Sequence, residues 1–102
     1  MFKLIVFVPE SHLEAVKIAL FEVGAGRLGN YDHCAWQTKG IGQFRPLPRS
    51  HPTLGKIHHD ETVEEWRVEM LCPNELKMAA THALKKAHPY EEPAFEWISL
   101  VD

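Results

Sequence analysis

Phe2 to Val8 is a nearly unbroken apolar run, interrupted only by Lys3 and closed by Pro9. Such a run is typical of a strand covered on both faces or lying at a sheet centre. A chain that begins this way has to supply strands on either side and a layer of helix above. The later segments are read against that requirement.

Ser11-His12-Leu13-Glu14 has the spacing of a capping box, with Ser11 at the N-cap and Glu14 three residues on. Leu13, Val16, Leu20 and Val23 follow at helical spacing with Ala19 beside them, and Gly24 suits the position after the helix end. This predicts a first helix over Ser11 to Val23. Asp32 to Lys39 alternates loosely and predicts a second strand carrying Cys34 and Trp36. Val63 to Cys72 alternates strictly: Trp66, Val68, Met70 and Cys72 face one way, and Glu65, Arg67 and Glu69 the other, as in a strand with one solvated face. Pro73-Asn74 opens a second helix with Asn74 as N-cap. Leu76, Ala79, Ala80, Ala83, Leu84 and Ala87 form its apolar side. Ala94 to Val101 is the last strand, with Phe95 and Trp97 on one face and Ile98 and Leu100 on the other.

Between the second and third strands, Gly40 to Asp60 holds Pro46, Pro48 and Pro52 close together, which excludes helix and central strand there. It is a long loop or flap, anchored by Phe44, Leu54 and Ile57, and loops of this length in small domains usually serve function or assembly. The pairing of Gly40 to Phe44 stays open, since this piece can continue the second strand in a hairpin with the segment after Asp60. The order β-α-β, flap, β-α-β predicts an α+β fold of the ferredoxin-like plait type. Its four-stranded antiparallel sheet has the first and third strands at the centre and two helices on one face. At 102 residues the chain is expected to be one domain with one core. Trp36, Trp66, Trp97 and Phe95 are more aromatic surface than one helix layer needs, so association through the sheet or the flap is expected.

Charge and cysteine content narrow the function classes. Eleven Lys and Arg against 14 Asp and Glu give a formal net charge of −3, against a nucleic-acid binder held by phosphate contacts. The apolar start is too short for a secretion signal or a membrane span. Two cysteines, Cys34 and Cys72, are too few and too far apart for a zinc knuckle or a disulfide framework. A cytoplasmic protein with reduced thiols is the expectation.

The polar residues concentrate in His88-Pro89-Tyr90-Glu91-Glu92-Pro93. Pro89 ends the second helix, which leaves His88 at a helix C-terminus, where the macrodipole favours an imidazolium. Pro93 biases Glu92 toward an extended shape, so the six residues form a stiff turn that is cheap to order, a property suited both to a binding site and to a plain helix-to-strand connection. Gly24-Ala25-Gly26-Arg27-Leu28-Gly29-Asn30 invites a phosphate-binding reading, but its glycines close a helix instead of opening one. A helix cap and turn explains them better, although the backbone N–H groups of such a turn can form an anion nest.

Taken together, Val6-Phe7-Val8-Pro9 with His12 and Glu14, Gly24-Ala25-Gly26, Gly29-Asn30-Tyr31-Asp32 with Cys34, Gly40-Ile41-Gly42 with Phe44-Arg45-Pro46, and His88 to Pro93 resemble the YqfO-type insert domain found inside some Nif-three-like proteins, here standing alone. The resemblance covers essentially the whole chain. It implies a ferredoxin-like domain similar to the CutA and PII proteins, which assemble as trimers. The di-metal site of the parent family belongs to its flanking domains, so the resemblance carries no metal ligand set onto these residues.

The residues themselves propose one. Seven histidines are spread over the chain, and imidazole and carboxylate suit a divalent transition metal such as zinc. His12, His33, His58, His59, His88 and Glu91 are the candidate ligands, with His58-His59-Asp60-Glu61 the densest cluster. His88, Tyr90, Glu91 and Glu92, with Arg45 from the flap and Asn30 from the glycine-rich turn, are the candidate ligand-binding residues. His33 and Cys34 are sequence neighbours on a predicted strand and point apart, so adjacency gives no nucleophile–base pair. The expectation is a homo-oligomeric binding or regulatory module that takes a metal ion or small anion near subunit boundaries, with a protein partner left open. The alternatives are a small metal-dependent hydrolase that combines these groups across subunits, and a purely structural assembly domain.

Overall fold

The computed structural model describes residues 1–101. The elements are β1 (Phe2–Pro9), α1 (Leu13–Glu22), β2 (Trp36–Phe44), β3 (Glu61–Cys72), α2 (Lys77–Ala87) and β4 (Phe95–Ser99). One four-stranded sheet runs in the order β2-β3-β1-β4, every neighbouring pair antiparallel. β1 and β3 are central, as the apolar first strand requires, and α1 and α2 cover one face. This is the predicted ferredoxin-like plait.

The core lies between that face and the helices. Leu4, Val6 and Val8 of β1, Val68, Met70 and Cys72 of β3, Leu13, Val16 and Leu20 of α1, and Ala80 and Leu84 of α2 are buried together. Trp66, Phe95 and Trp97 pack against this cluster from the same side, Trp97 donating its indole N–H to Thr81 Oγ1 at 3.0 Å. Three of the four aromatics expected to lie spare on the sheet therefore complete the core. On the open face, Trp36 is 61% exposed and Ile98 41%, while Ile5, between Glu69 and Glu96 in the ladder, is buried.

Both helix starts depart from expectation. A single 3₁₀ turn, Glu10–His12, precedes α1, and no side chain caps the helix; the Ser11 hydroxyl pairs instead with His12 Nδ1 at 2.8 Å. A second 3₁₀ turn, Asn74–Leu76, precedes α2, and Asn74 Oδ1 accepts from the Met1 amino group. The C-terminal signals hold. Gly24 N–H donates to Phe21 O and Ala25 N–H to Leu20 O, at 3.0 and 3.1 Å, the paired bonds of a Schellman motif with Gly24 at φ +105°.

β2 is displaced along the chain from Asp32–Lys39 to Trp36–Phe44. Residues 26–34 fold into a packed connection, with Gly26 N–H on Leu71 O and Cys34 N–H on Gly26 O. Gly40 to Phe44 continue β2, and the ladder runs to Phe44↔Glu61. The open pairing question resolves as a hairpin. The expected flap shrinks to 45–60, a loop at the tip of an arm in which β3 alone, 12 residues long, spans about 40 Å.

Candidate functional site

The hairpin tip loop and the turn from His88 to Pro93 meet at one end of the sheet. Phe7 fixes that turn at both ends. Its N–H donates to Ala94 O at 3.1 Å, and its carbonyl meets His88 Nε2 at 2.7 Å. His88 has the extended backbone that a residue before proline prefers, φ −75° and ψ 138°. Its ring folds inward and is buried, 6% exposed. Because Tyr90 N–H donates to Nδ1 at 3.2 Å, the proton sits on Nε2 and the ring is neutral. Burial lowers its pKa from the usual imidazole value; the bond to Phe7 opposes this and nearby His12 adds to it. The imidazolium expected from the helix macrodipole is thus replaced by a neutral ring, since desolvation outweighs a helix-terminus effect of about 1 kcal/mol. Both nitrogens of His88 are engaged in holding the turn.

The ring of Tyr90 lies 4.9 Å from that of His88, centre to centre. Its hydroxyl is buried with no hydrogen-bond partner. Burial pushes the phenol up to about 12, and the neighbouring Glu65 carboxylate adds to the shift. Hydroxyl and carboxylate stand close without reaching hydrogen-bonding geometry. The Glu65 side chain in turn crosses over Gly42 of β2, where a Cβ would overlap its carboxylate. Gly42 is the seat of Glu65.

Two further contacts tie the tip loop to the turn. His51 N–H donates to Glu91 at 3.1 and 3.3 Å, and the Thr53 hydroxyl to Pro89 O at 2.8 Å. Within the loop, His58 N–H donates to Pro46 O at 2.7 Å and Ser50 Oγ–H to Leu47 O at 2.7 Å. Between loop and turn lies a cleft of about 300 Å³. Phe44, Pro52, Leu54 and Ala94 give it apolar walls; its polar lining is Glu65, Tyr90, Glu91 and Glu92 with the neutral Gln43, Ser50 and Thr53. No lysine or arginine lines it. The ion pairs of the described residues, Lys3–Glu69, Lys17–Glu14, Lys39–Glu64 and Arg67–Glu69, leave its three carboxylates out.

Of the residues predicted from sequence, Tyr90, Glu91 and Glu92 come together on this cleft, with His88 behind them as the bracket of the turn. Arg45 is exposed on the tip loop and is not among the cleft's lining residues. Asn30 sits in the exposed Leu28–Tyr31 turn, beside a shallow groove near Glu69–Leu71 of β3. The metal candidates do not converge. His33 stacks on Phe21 with ring centres 4.6 Å apart, His12 bonds Ser11, and His58 and His59 are exposed on the tip loop. Among the described residues no three His, Cys, Asp or Glu side chains gather to hold a metal ion. The residue that sequence reading missed is Glu65, assigned to the solvated side of β3. Only the pairing of Gly40 to Phe44 with β3 reveals its place.

No family model matches the chain. A curated relative from Mycobacterium leprae, a GTP cyclohydrolase 1 type 2 homolog, is 46% identical over 99 residues, covering 97% of this chain and 26% of the relative. A crystal structure of a Bacillus cereus protein related to NIF3 superposes with a TM-score of 0.86 at 39% identity, over 99% of this chain and 26% of that one. CutA1 from Pyrococcus horikoshii superposes with a TM-score of 0.70 at 20% identity, over 100% of this chain and 85% of its own, which shows the shared fold. The chain spans about a quarter of the length of the curated relatives it matches. It is therefore similar to one domain-sized segment of NIF3-type proteins and is folded like CutA1.

Proposed function

We propose that this chain is a non-enzymatic binding module that works as a homo-oligomer, a trimer by analogy with the CutA-like fold, and takes its ligand in the cleft between the 45–60 loop and the His88–Pro93 turn. One observation carries the reading: a concave site of about 300 Å³ with apolar walls and convergent polar groups, the usual form of a small-molecule site. It is built from elements already clipped together, so little ordering cost attends binding. A small anion is disfavoured, because three carboxylates and no cation face the cleft. A metal ion held by three His, Cys, Asp or Glu side chains would need ligands from more than one chain, since no such group exists among the described residues. The cyclohydrolase name belongs to relatives whose length lies mostly outside the match; in this reading the segment contributes recognition or assembly to such proteins.

Screening the protein against cationic, neutral and anionic small molecules, with zinc as a separate arm, tests this. Stoichiometric binding of about one ligand per chain without turnover is expected, with amide shifts centred on Thr53 and Tyr90. Zinc-dependent turnover lost in Glu91→Gln or Glu92→Gln, with the assembly intact, would replace this reading with the hydrolase one. A monomer in native mass spectra contradicts the oligomeric part.

A further inference from the structure

Resting on the cleft as the binding site, we infer that its ligand is an organic cation, an ammonium or guanidinium group carried on a short apolar body. Glu65, Glu91 and Glu92 line one small cleft with no lysine or arginine among them. Lys39 of β2 and Arg67 of β3 are paired with Glu64 and Glu69, and Arg45 and Arg49 of the tip loop are not among the lining residues. The three carboxylates of the cleft take part in none of the ion pairs of the described residues.

A bare metal ion does not suit it. Hard cations need several oxygens converging at about 2.0–2.6 Å, and no such gathering exists among the described residues. Glu91 is moreover already accepting the His51 N–H. An ammonium or guanidinium spreads its donors over acceptors that need not converge on one point. Phe44, Pro52 and Leu54 supply walls that a methylene chain covers. Tyr90 and Phe44 add aromatic rings, which attract cations. Charge and wall chemistry select the same ligand class.

Two sources carry this chemistry: a free diamine, or a lysine or arginine side chain of another protein. The test maps backbone amide shifts of the intact chain on titration with 1,6-diaminohexane, with a short lysine-containing peptide, with 1,6-hexanediol, with hexanoate and with zinc. The expected result is saturable shifts at Thr53, Glu65 and Tyr90 with the amine probes only. These should weaken about tenfold at 0.5 M salt and about tenfold in Glu92→Gln, whose exposed position leaves the fold intact. Tighter binding of the diamine identifies a small-molecule source, and tighter binding of the peptide a protein source; each supports the inference. Equal shifts with the diol, or shifts with hexanoate or zinc alone, overturn the inference and leave the cleft as the site. No shift at the cleft with any probe overturns both.

Discussion

The two ends of the sheet both look like binding loops in sequence, and the structure uses them differently. At one end, the glycine-rich connection from Gly24 to Cys34 turns its backbone groups inward: onto α1 through Gly24 and Ala25, onto β3 through Gly26, and onto itself through Cys34. Six of its backbone N–H groups, those of Gly24, Ala25, Gly26, Leu28, Tyr31 and Cys34, are spent on holding the fold. At the other end, the tip loop and the His88–Pro93 turn are joined by side-chain bonds from Glu91 and Thr53. Three carboxylates stay without a cation, and one hydroxyl without a partner. Glycines and prolines mark both ends as turns. Where the hydrogen bonds go separates a strut from a site.

That contrast predicts opposite responses to substitution. The largest expected effect is at the strut. Gly26 has φ +79°, and a Cβ there would lie 2.9 Å from the Cys34 carbonyl oxygen and 2.9 Å from the Phe21 ring. Gly26→Ala is expected to cost roughly 3 kcal/mol, the sum of left-handed strain and overpacking, read by chemical denaturation. Amide shifts at the cleft should stay unchanged.

His88 comes next. His88→Gln removes a buried bracket with two hydrogen bonds and is expected to cost about 2 kcal/mol. The residue also sets a pH dependence. Its folded pKa lies below the ordinary 6.5, chiefly through burial, so below pH 6.5 the unfolded chain binds more protons than the folded one. The contribution of the neutral ring is fully present above pH 6.5 and is lost as pH falls toward and through the folded value. Urea midpoints measured from pH 8 to pH 5 should decline in the parent chain, and His88→Gln should lack that part of the slope.

Smaller effects belong to the cleft. Thr53→Val removes one exposed bond to Pro89 and should cost below about 1 kcal/mol, while hydrogen exchange at His51 and Thr53 speeds up. Tyr90→Phe removes a hydroxyl that is buried and unpaired, so stability should hold or rise by up to about 1 kcal/mol. A loss of more than that would show that the hydroxyl is satisfied in solution and would weaken the contrast between the two ends.

Much of this was legible in the sequence, and the misses share one cause. The apolar run of β1, the alternation of β3 and the stop at Pro89 depend on near neighbours, and each was placed correctly. The faces of Trp66 and Trp97 depend on which side the helices cover, and a list of aromatics does not contain that. Ser11 and Asn74 have the right types for caps, but 3₁₀ turns engage them elsewhere. Glu65 reads as a solvated residue of an alternating strand until Gly42 is known to lie within its reach. Tyr90, Glu91 and Glu92 fall together on the cleft because two prolines hold them in one short turn, whereas the positions of Arg45 and Asn30 depend on long-range placement.

The central claim is that the unpaired carboxylates of the cleft recognise a cation. It is tested most directly by calorimetric titration of 1,6-diaminohexane into the parent chain and into Glu65→Gln/Glu92→Gln, with melting temperatures measured alongside. About a hundredfold loss of affinity, roughly tenfold per carboxylate, with an unchanged melting temperature is predicted. Equal affinity in the two proteins would contradict the account.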